Sequence, residues 1–305
     1  MGISGSANEQ AISGSRRRRA DGLAASAILV GKPGIAFGVA VSGFAGMTLA
    51  ARGLPSPGMG MLCLLCIVMA ASGSAILNVV FESESDKAMP RVDRRTTALV
   101  RLGEGNALAL SAVLVITSVM LSFLLINMMT GLLILAASLI YTILYTLYLK
   151  KRSPYGTVPG GIPGALPVLI GYASVRPGLG LDGLILFLVM LLWQPPHFLA
   201  LALKYKDEYK AAGLPVMPVA FGEPFTKSFI FIYASALPLL TTSLWLFGYC
   251  SANFACFAFL LGCFYLMSCY RNVVATNRYG RAFAASIVYI MFLMAAIVVD
   301  MGVNR

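Results

Sequence analysis

Nine apolar runs, each close to the ~20 residues that carry a helix across a ~30 Å hydrocarbon core, constrain this chain more than any other feature. They cover residues 34–51, 58–81, 106–126, 131–149, 158–174, 182–203, 228–249, 252–270 and 282–302. Charged residues make up only 11% of the sequence, against about 25% in a soluble domain, too few to clothe a water-facing surface. The expectation is an all-α membrane protein of nine transmembrane helices. Residues 32–305 read as one transmembrane domain, and residues 1–31, rich in Gly, Ser and Ala, as a disordered cytoplasmic tail.

Nine spans put the two ends of the chain on opposite sides, which divides the loops into two sets. One set holds 20 of the 23 Lys and Arg, leaving only Arg52, Arg176 and Arg305 in the other. The positive-inside bias then places the N-terminus in the cytoplasm. The same sorting accounts for most of the net charge of +11, so nucleic acid is not needed to explain it. Six cysteines lie in or beside apolar runs, with Cys63 and Cys66 as a C-x-x-C inside the second. They read as small packing residues, since a redox or metal role needs a polar, accessible setting.

The acidic residues are the informative ones. After the second run, Asn78, Glu82 and Asp86 repeat every four residues, which aligns them on one face if the helix continues past the membrane edge. A ladder of oxygens suits a hard cation such as Mg²⁺ held jointly with substrate phosphates. A polar side chain at the apolar end of a span is costly, which weights Asn78 toward function over a merely solvated loop. Glu84, Lys87 and Arg91 form a second stripe, with Pro90 expected to bend or end the helix there.

A second polar loop follows the sixth run: Trp193-Gln194-Pro195-Pro196-His197-Phe198, then Lys204-Tyr205-Lys206-Asp207-Glu208-Tyr209. The double proline is expected to break the sixth span. His197 and Glu208 stand eleven residues apart, about three turns, on a common face. By spacing alone, His197 is equally an interfacial histidine or a ligand or acid–base group. Between the loops, Tyr141, Tyr145 and Tyr148 lead into Lys150, Lys151 and Arg152. This is either an aromatic belt with snorkelling cations or an aromatic wall that steadies a carbocation beside phosphate-binding lysines. Gly156, Gly160 and Gly164, interleaved with Pro159, Pro163 and Pro167, mark the fifth run as a closely packed, distorted helix.

The pattern Asn78, Glu82, Asp86, Met89, Arg91, Arg95 resembles the first signature of the intramembrane prenyltransferases, the UbiA superfamily. The stretches 145–171, 193–198 and 207–218 resemble the branch of that superfamily that farnesylates haem B. The likeness runs from about Lys32 to Gly222 and weakens in the last three spans. It implies nine transmembrane helices around a central cavity in the bacterial inner membrane, with the site at its cytoplasmic mouth. The implied catalytic set is Asn78, Glu82, Asp86, Lys150, Asp207 and Glu208, with Mg²⁺ held by Glu82, Asp86, Asp207 and Glu208. The implied substrate-binding set is Arg91, Arg95, Tyr141, Tyr145, His197, Lys204 and Lys206. Arg91, Arg95, Lys150 and either Lys204 or Lys206 would neutralise the departing diphosphate, and His197 would meet the haem iron or a propionate. The implied partners are farnesyl diphosphate, haem B, the lipid bilayer and a haem A synthase or terminal-oxidase assembly. Glu82 and Glu208 depart from the family's usual Asp by one methylene each.

Two other readings stand beside this one. A prenyltransferase for a quinone precursor or chlorophyll-like acceptor would share the diphosphate site but not the 193–198 element. A transporter or haem-handling scaffold would spread polar groups through the membrane, whereas here they gather at one face.

Overall fold

A computed structural model describes residues 22–303. The described residues are helical with no strand. A short helix α1 spans 22–30, then α2 Pro33–Ala51, α3 Pro57–Phe81, α4 Asp93–Leu102, α5 Glu104–Leu125 and α6 Met128–Arg152. The second half comprises α7 Ile162–Val175, α8 Leu181–Lys204, α9 Lys206–Ala211, α10 Gly222–Leu246, α11 Ala252–Ala275 and α12 Tyr279–Val303. Eight of these, α2, α3, α5, α6, α8, α10, α11 and α12, are long and apolar enough to cross a membrane. The fifth apolar run is the exception. It forms a 3-10 turn Pro159–Gly161 and the 14-residue α7, because prolines at its start and Pro167 within it remove donors that a longer helix would use. Outward-facing residues such as Leu124, Leu239 and Phe264 are 70% exposed or more, as side chains that meet lipid should be.

Two expectations change. The tail is ordered ahead of Lys32, since Ala-rich residues 22–30 form a helix and Val30 packs into a buried cluster with Ile76, Val79 and Leu99. Residues 1–21 lie outside the described residues. The sixth span is not broken either: α8 runs continuously through Pro195 and Pro196. Proline's fixed φ is compatible with a helix, and only two donors are lost. Neighbouring helices hold this stretch through Gln194 Nε2 to Gly161 O (2.9 Å) and Trp193 Nε1 to Ser286 O (2.8 Å).

Small residues set the helix spacing. At the crossing of α2 and α7, a Cβ on Gly171 would fall 1.9 Å from Gly43 O, and one on Gly46 would fall 2.1 Å from Val168 O. Backbones touch there, and no side chain can give way. Gly171→Ala is therefore expected to cost about 3 kcal/mol of stability, read as a lowered thermal midpoint of the detergent-solubilised protein; an unchanged midpoint would mean that the crossing opens freely. Ser111 and Ser118 of α5 similarly donate to Gly73 O and Cys66 O of α3 at 2.8 and 2.7 Å. Cys63 and Cys66 are buried free thiols packed with Met47, Ile134 and Leu166.

The bundle has a distinct polar cluster at each end. At one end, buried Asp182 accepts from Tyr172 OH (2.8 Å) and Gly183 N (3.0 Å) and pairs with Arg52 (3.1 Å). Arg52 also donates to Tyr249 O at 2.6 Å, while Asp300 receives the amide and hydroxyl of Ser251. These contacts tie α2, α8 and the α10–α11 turn together. The other end carries the seam of acids and bases.

Candidate active site

Asn78 lies in the last turn of α3, and Glu82 caps it. The backbone barely interrupts itself there: Glu82 N bonds to Asn78 O at 3.0 Å and Asp86 N to Glu82 O at 2.8 Å, through a short turn Ser83–Asp86. The four-residue ladder survives past the end of the span. All three side chains are buried, with 2–3% of their surface exposed. Such burial of two carboxylates demands partners, and each has a cation. Glu82 Oε2 meets Lys150 Nζ at 2.6 Å and Asp86 Oδ2 meets Arg95 at 3.0 Å.

Lys150 reaches Glu82 because α6 changes winding. Residues Ile140–Leu149 are π-helical, and i→i+5 bonding stacks residues four to five apart, a distortion common at functional sites. Thr146 Oγ1 donates to Tyr141 O (2.9 Å) and accepts from Asn78 Nδ2 (3.0 Å). The Tyr141 and Tyr145 rings lie 5.9 Å apart beside Lys150, whereas Tyr148 faces out beneath Arg152. Of the tyrosine series, two line the seam and one belongs to the boundary.

The second acidic motif approaches on α9. Glu208 pairs with Arg91 at 3.3 Å, and the Arg91 guanidinium lies 4.6 Å from the ring centroids of both Tyr205 and Tyr209. Asp207 is exposed. Lys206 pairs with Glu223 (3.5 Å), and Lys204 lies over Tyr205 and against Gly280. Glu84 and Lys87 bond to each other in solvent at 2.7 Å. The seam therefore gathers Asn78, Glu82, Asp86, Arg91, Arg95, Tyr141, Tyr145, Lys150 and Glu208, but leaves Asp207 and Lys206 outside it. The space between Tyr145, Lys150, Phe198, Ala202 and Tyr209 is only about 40 Å³.

Lys32 was not among the expected site residues. It precedes Pro33 at the start of α2 and donates to Asn78 Oδ1 at 2.5 Å. Burial, reinforced by Arg95 and Lys150 and only partly offset by Glu82 and Asp86, brings its pKa down to about 7. Burial would raise the Glu82 carboxyl, yet Lys150 and Lys32 hold it below the usual carboxylate value. In the free site, Lys32 is then charged below about pH 7 and neutral above it. An anion binds the charged form better, so affinity for inorganic diphosphate is expected to fall as pH rises past about 7. Lys32→Met should weaken binding at pH 6 and flatten the change in affinity across that window; an identical pH profile in the variant would remove Lys32 from the site.

His197 is sandwiched between Trp193 and Phe283, with centroids 4.6 and 4.4 Å away, and its Nδ1 lies 2.7 Å from Ser286 Oγ. The Ser286 hydroxyl donates its one hydrogen to Phe283 O at 2.6 Å, so it accepts from Nδ1–H. In that arrangement the lone pair sits on Nε2, the nitrogen through which a neutral imidazole binds a metal.

The donor set at the seam suits a divalent ion. Glu82 Oε1 is buried without a hydrogen-bond partner, an oxygen that a cation would satisfy. Among the described residues, no three acidic, His or Cys side chains lie close enough to hold a metal unaided. One or two carboxylates completed by water and substrate phosphates is how Mg²⁺ is commonly held, and Glu82 with Asp86 fits that description.

Residues 39–298 match the UbiA prenyltransferase family. The chain belongs to this family. It is an integral membrane protein, all-helical among the described residues and with eight spanning-length helices there. It is 46% identical over 254 residues to the protoheme IX farnesyltransferase of Geotalea uraniireducens, covering 83% of this chain and 98% of that one. The protoheme IX farnesyltransferase of Aquifex aeolicus is 34% identical, covering 90% and 94%. Among solved structures, a UbiA homolog from Archaeoglobus fulgidus bound to DMAPP and Mg²⁺ shares the fold with a TM-score of 0.64 at 14% identity, over 88% of this chain and 99% of that one.

Proposed function

We propose that this prenyltransferase moves the farnesyl group of farnesyl diphosphate onto a vinyl group of haem B, with addition of water, giving haem O and diphosphate. The observation that carries this reading is the buried, charge-paired seam of Asn78, Glu82, Asp86, Lys150 and Arg95. It is supported by relatives of that activity that align over most of the chain.

The nine-span arrangement counts the short α7 as the fifth crossing. The N-terminus and the seam then face the cytoplasm of a bacterial inner membrane, where water-soluble diphosphate can leave. Lys32, Lys150, Arg91 and Arg95 offer cations to the diphosphate. Asn78, Glu82 and Asp86 would hold Mg²⁺, with Glu208 facing them from α9 while exposed Asp207 stays outside that set, and the ion would supply charge neutralisation to the leaving group. Breaking the C–O bond leaves an allylic cation, which the faces of Tyr141 and Tyr145 stabilise in a dry setting. The haem vinyl carbon attacks that cation, and water captures the resulting benzylic-type cation with loss of a proton. The product serves a terminal oxidase, directly or through a haem A synthase.

The test is a mass spectrum of haems extracted from membranes carrying the protein or its Asp86→Asn variant. A haem heavier by one farnesyl group plus water, lost in the variant, is the expected result. Unmodified haem B in both samples, with folded protein and farnesyl diphosphate present, would overturn the reading.

A further inference from the structure

Next to the seam lies a concentration of positive charge that none of its buried acids answers. An open pocket of about 640 Å³ is lined by Lys204 at the end of α8, Asn277 and Arg278 in the turn before α12, and Tyr279, Gly280 and Arg281 in its first turn. Lys204, Arg278 and Arg281 are exposed, and none of them forms an ion pair among the described residues. Glu223, which accepts from Tyr279 OH at 2.8 Å, is already paired with Lys206 and Lys227. The missing side chain of Gly280 keeps the wall thin, with Lys204 Nζ only 3.7 Å from where its Cβ would be.

The position of this pocket is as telling as its charge. Lys204 follows His197 by seven residues on α8, two turns or about 10 Å further along the same face. On α12, Tyr279 precedes Ser286, the Nδ1 partner of His197, by the same seven residues. The two helices thus carry His197 in an aromatic setting and, two turns nearer the membrane edge, three cations outside any ion pair among the described residues. A flat tetrapyrrole with its metal at the centre and carboxylates along one edge has that same order of groups. The pocket also borders the seam, because Lys204 and Arg91 both lie over the Tyr205 ring, 4.7 and 4.6 Å from its centroid.

Resting on haem B as the acceptor, we propose that Lys204, Arg278 and Arg281 bind its propionates and so set which edge of the porphyrin meets the farnesyl cation. With the carboxylates held in this pocket, the vinyl-bearing part of the ring is left facing the bundle. Charge-assisted hydrogen bonds of this kind each contribute enough to change affinity by about tenfold.

The experiment is an absorption titration of the protein in phosphatidylcholine nanodiscs with haem B and with its dimethyl ester, which lacks the two negative charges. The wild-type protein should bind the diacid about tenfold or more tightly than the diester. Arg278→Gln/Arg281→Gln should erase that preference without moving KM for farnesyl diphosphate, and Arg278→Lys/Arg281→Lys should retain most of it. An undiminished preference in the Gln variant overturns the proposal, and so does an effect seen only when phosphatidylglycerol is added, which would make the pocket a lipid-headgroup site. Wild-type protein that neither binds nor farnesylates haem B would instead bring down the parent reading, and this one with it. Farnesylation of haem B with the preference intact in the Gln variant would bring down this one alone.

Discussion

Glu82→Gln is expected to lower turnover by at least about 100-fold, the scale on which a group that organises developing charge acts. The substitution keeps shape and volume but removes the negative charge from a side chain only 3% exposed. It has two separable consequences. The buried oxygen without a partner, Oε1, could no longer offer an anionic ligand to a divalent cation. At the same time Lys150, 2.6 Å from the carboxylate, loses its counter-charge, and stranding one member of such a pair costs about 3 kcal/mol. The double variant Glu82→Gln/Lys150→Gln relieves the second effect and leaves the first. Its thermal midpoint should recover toward that of the parent protein while turnover stays low, and haem B should still bind to both variants. Recovery of turnover in the double variant would remove Glu82 from the chemistry and leave it only a structural role.

The second large effect lies at the opposite end of the bundle. Asp182→Ala is expected to destabilise the protein by about 3 kcal/mol without altering the farnesyl diphosphate KM of the molecules that fold. One carboxylate there answers Arg52, Tyr172 OH and the Gly183 amide, and Tyr172 is fully buried. Removing it leaves a phenol and an amide with no acceptor, and water reaches neither easily. Asp182→Asn should be milder, since an amide oxygen still accepts from Tyr172 and Gly183. Thermal unfolding of the solubilised protein with and without diphosphate is the measurement. Equal midpoints for the Ala variant and the parent would show that the cluster closes nothing.

Much of the site is legible in residue spacing alone. The interval between Asn78, Glu82 and Asp86 announces one face, and the helix hydrogen bonds do continue through Glu82 far enough to keep them there. The second acidic motif is equally visible, but spacing does not distinguish its two members: Glu208 turns in to Arg91 while Asp207 stays in water. Lys206 looks equivalent to Lys204 along the chain, yet it is held by Glu223 on another helix. Pro195 and Pro196 signal a break that the packing of α8 against its neighbours suppresses. Lys32 carries no pattern at all; its only local mark is the proline that follows it.

The sequence by itself determined the membrane-spanning helical architecture and the register of the acidic ladder. These follow from hydrocarbon thickness and from i→i+4 bonding, which act on neighbouring residues and so leave a periodic trace. Only the tertiary structure decided which base answers which acid. Lys32 reaches Asn78 across 46 positions and Lys150 reaches Glu82 across 68, contacts set by how far each helix is rotated and how closely it approaches. That rotation depends on glycine contacts such as Gly43 with Gly171 and on the π-helical winding of α6. Coulomb attraction then selects partners by distance through space, and distance through space has no period along the chain.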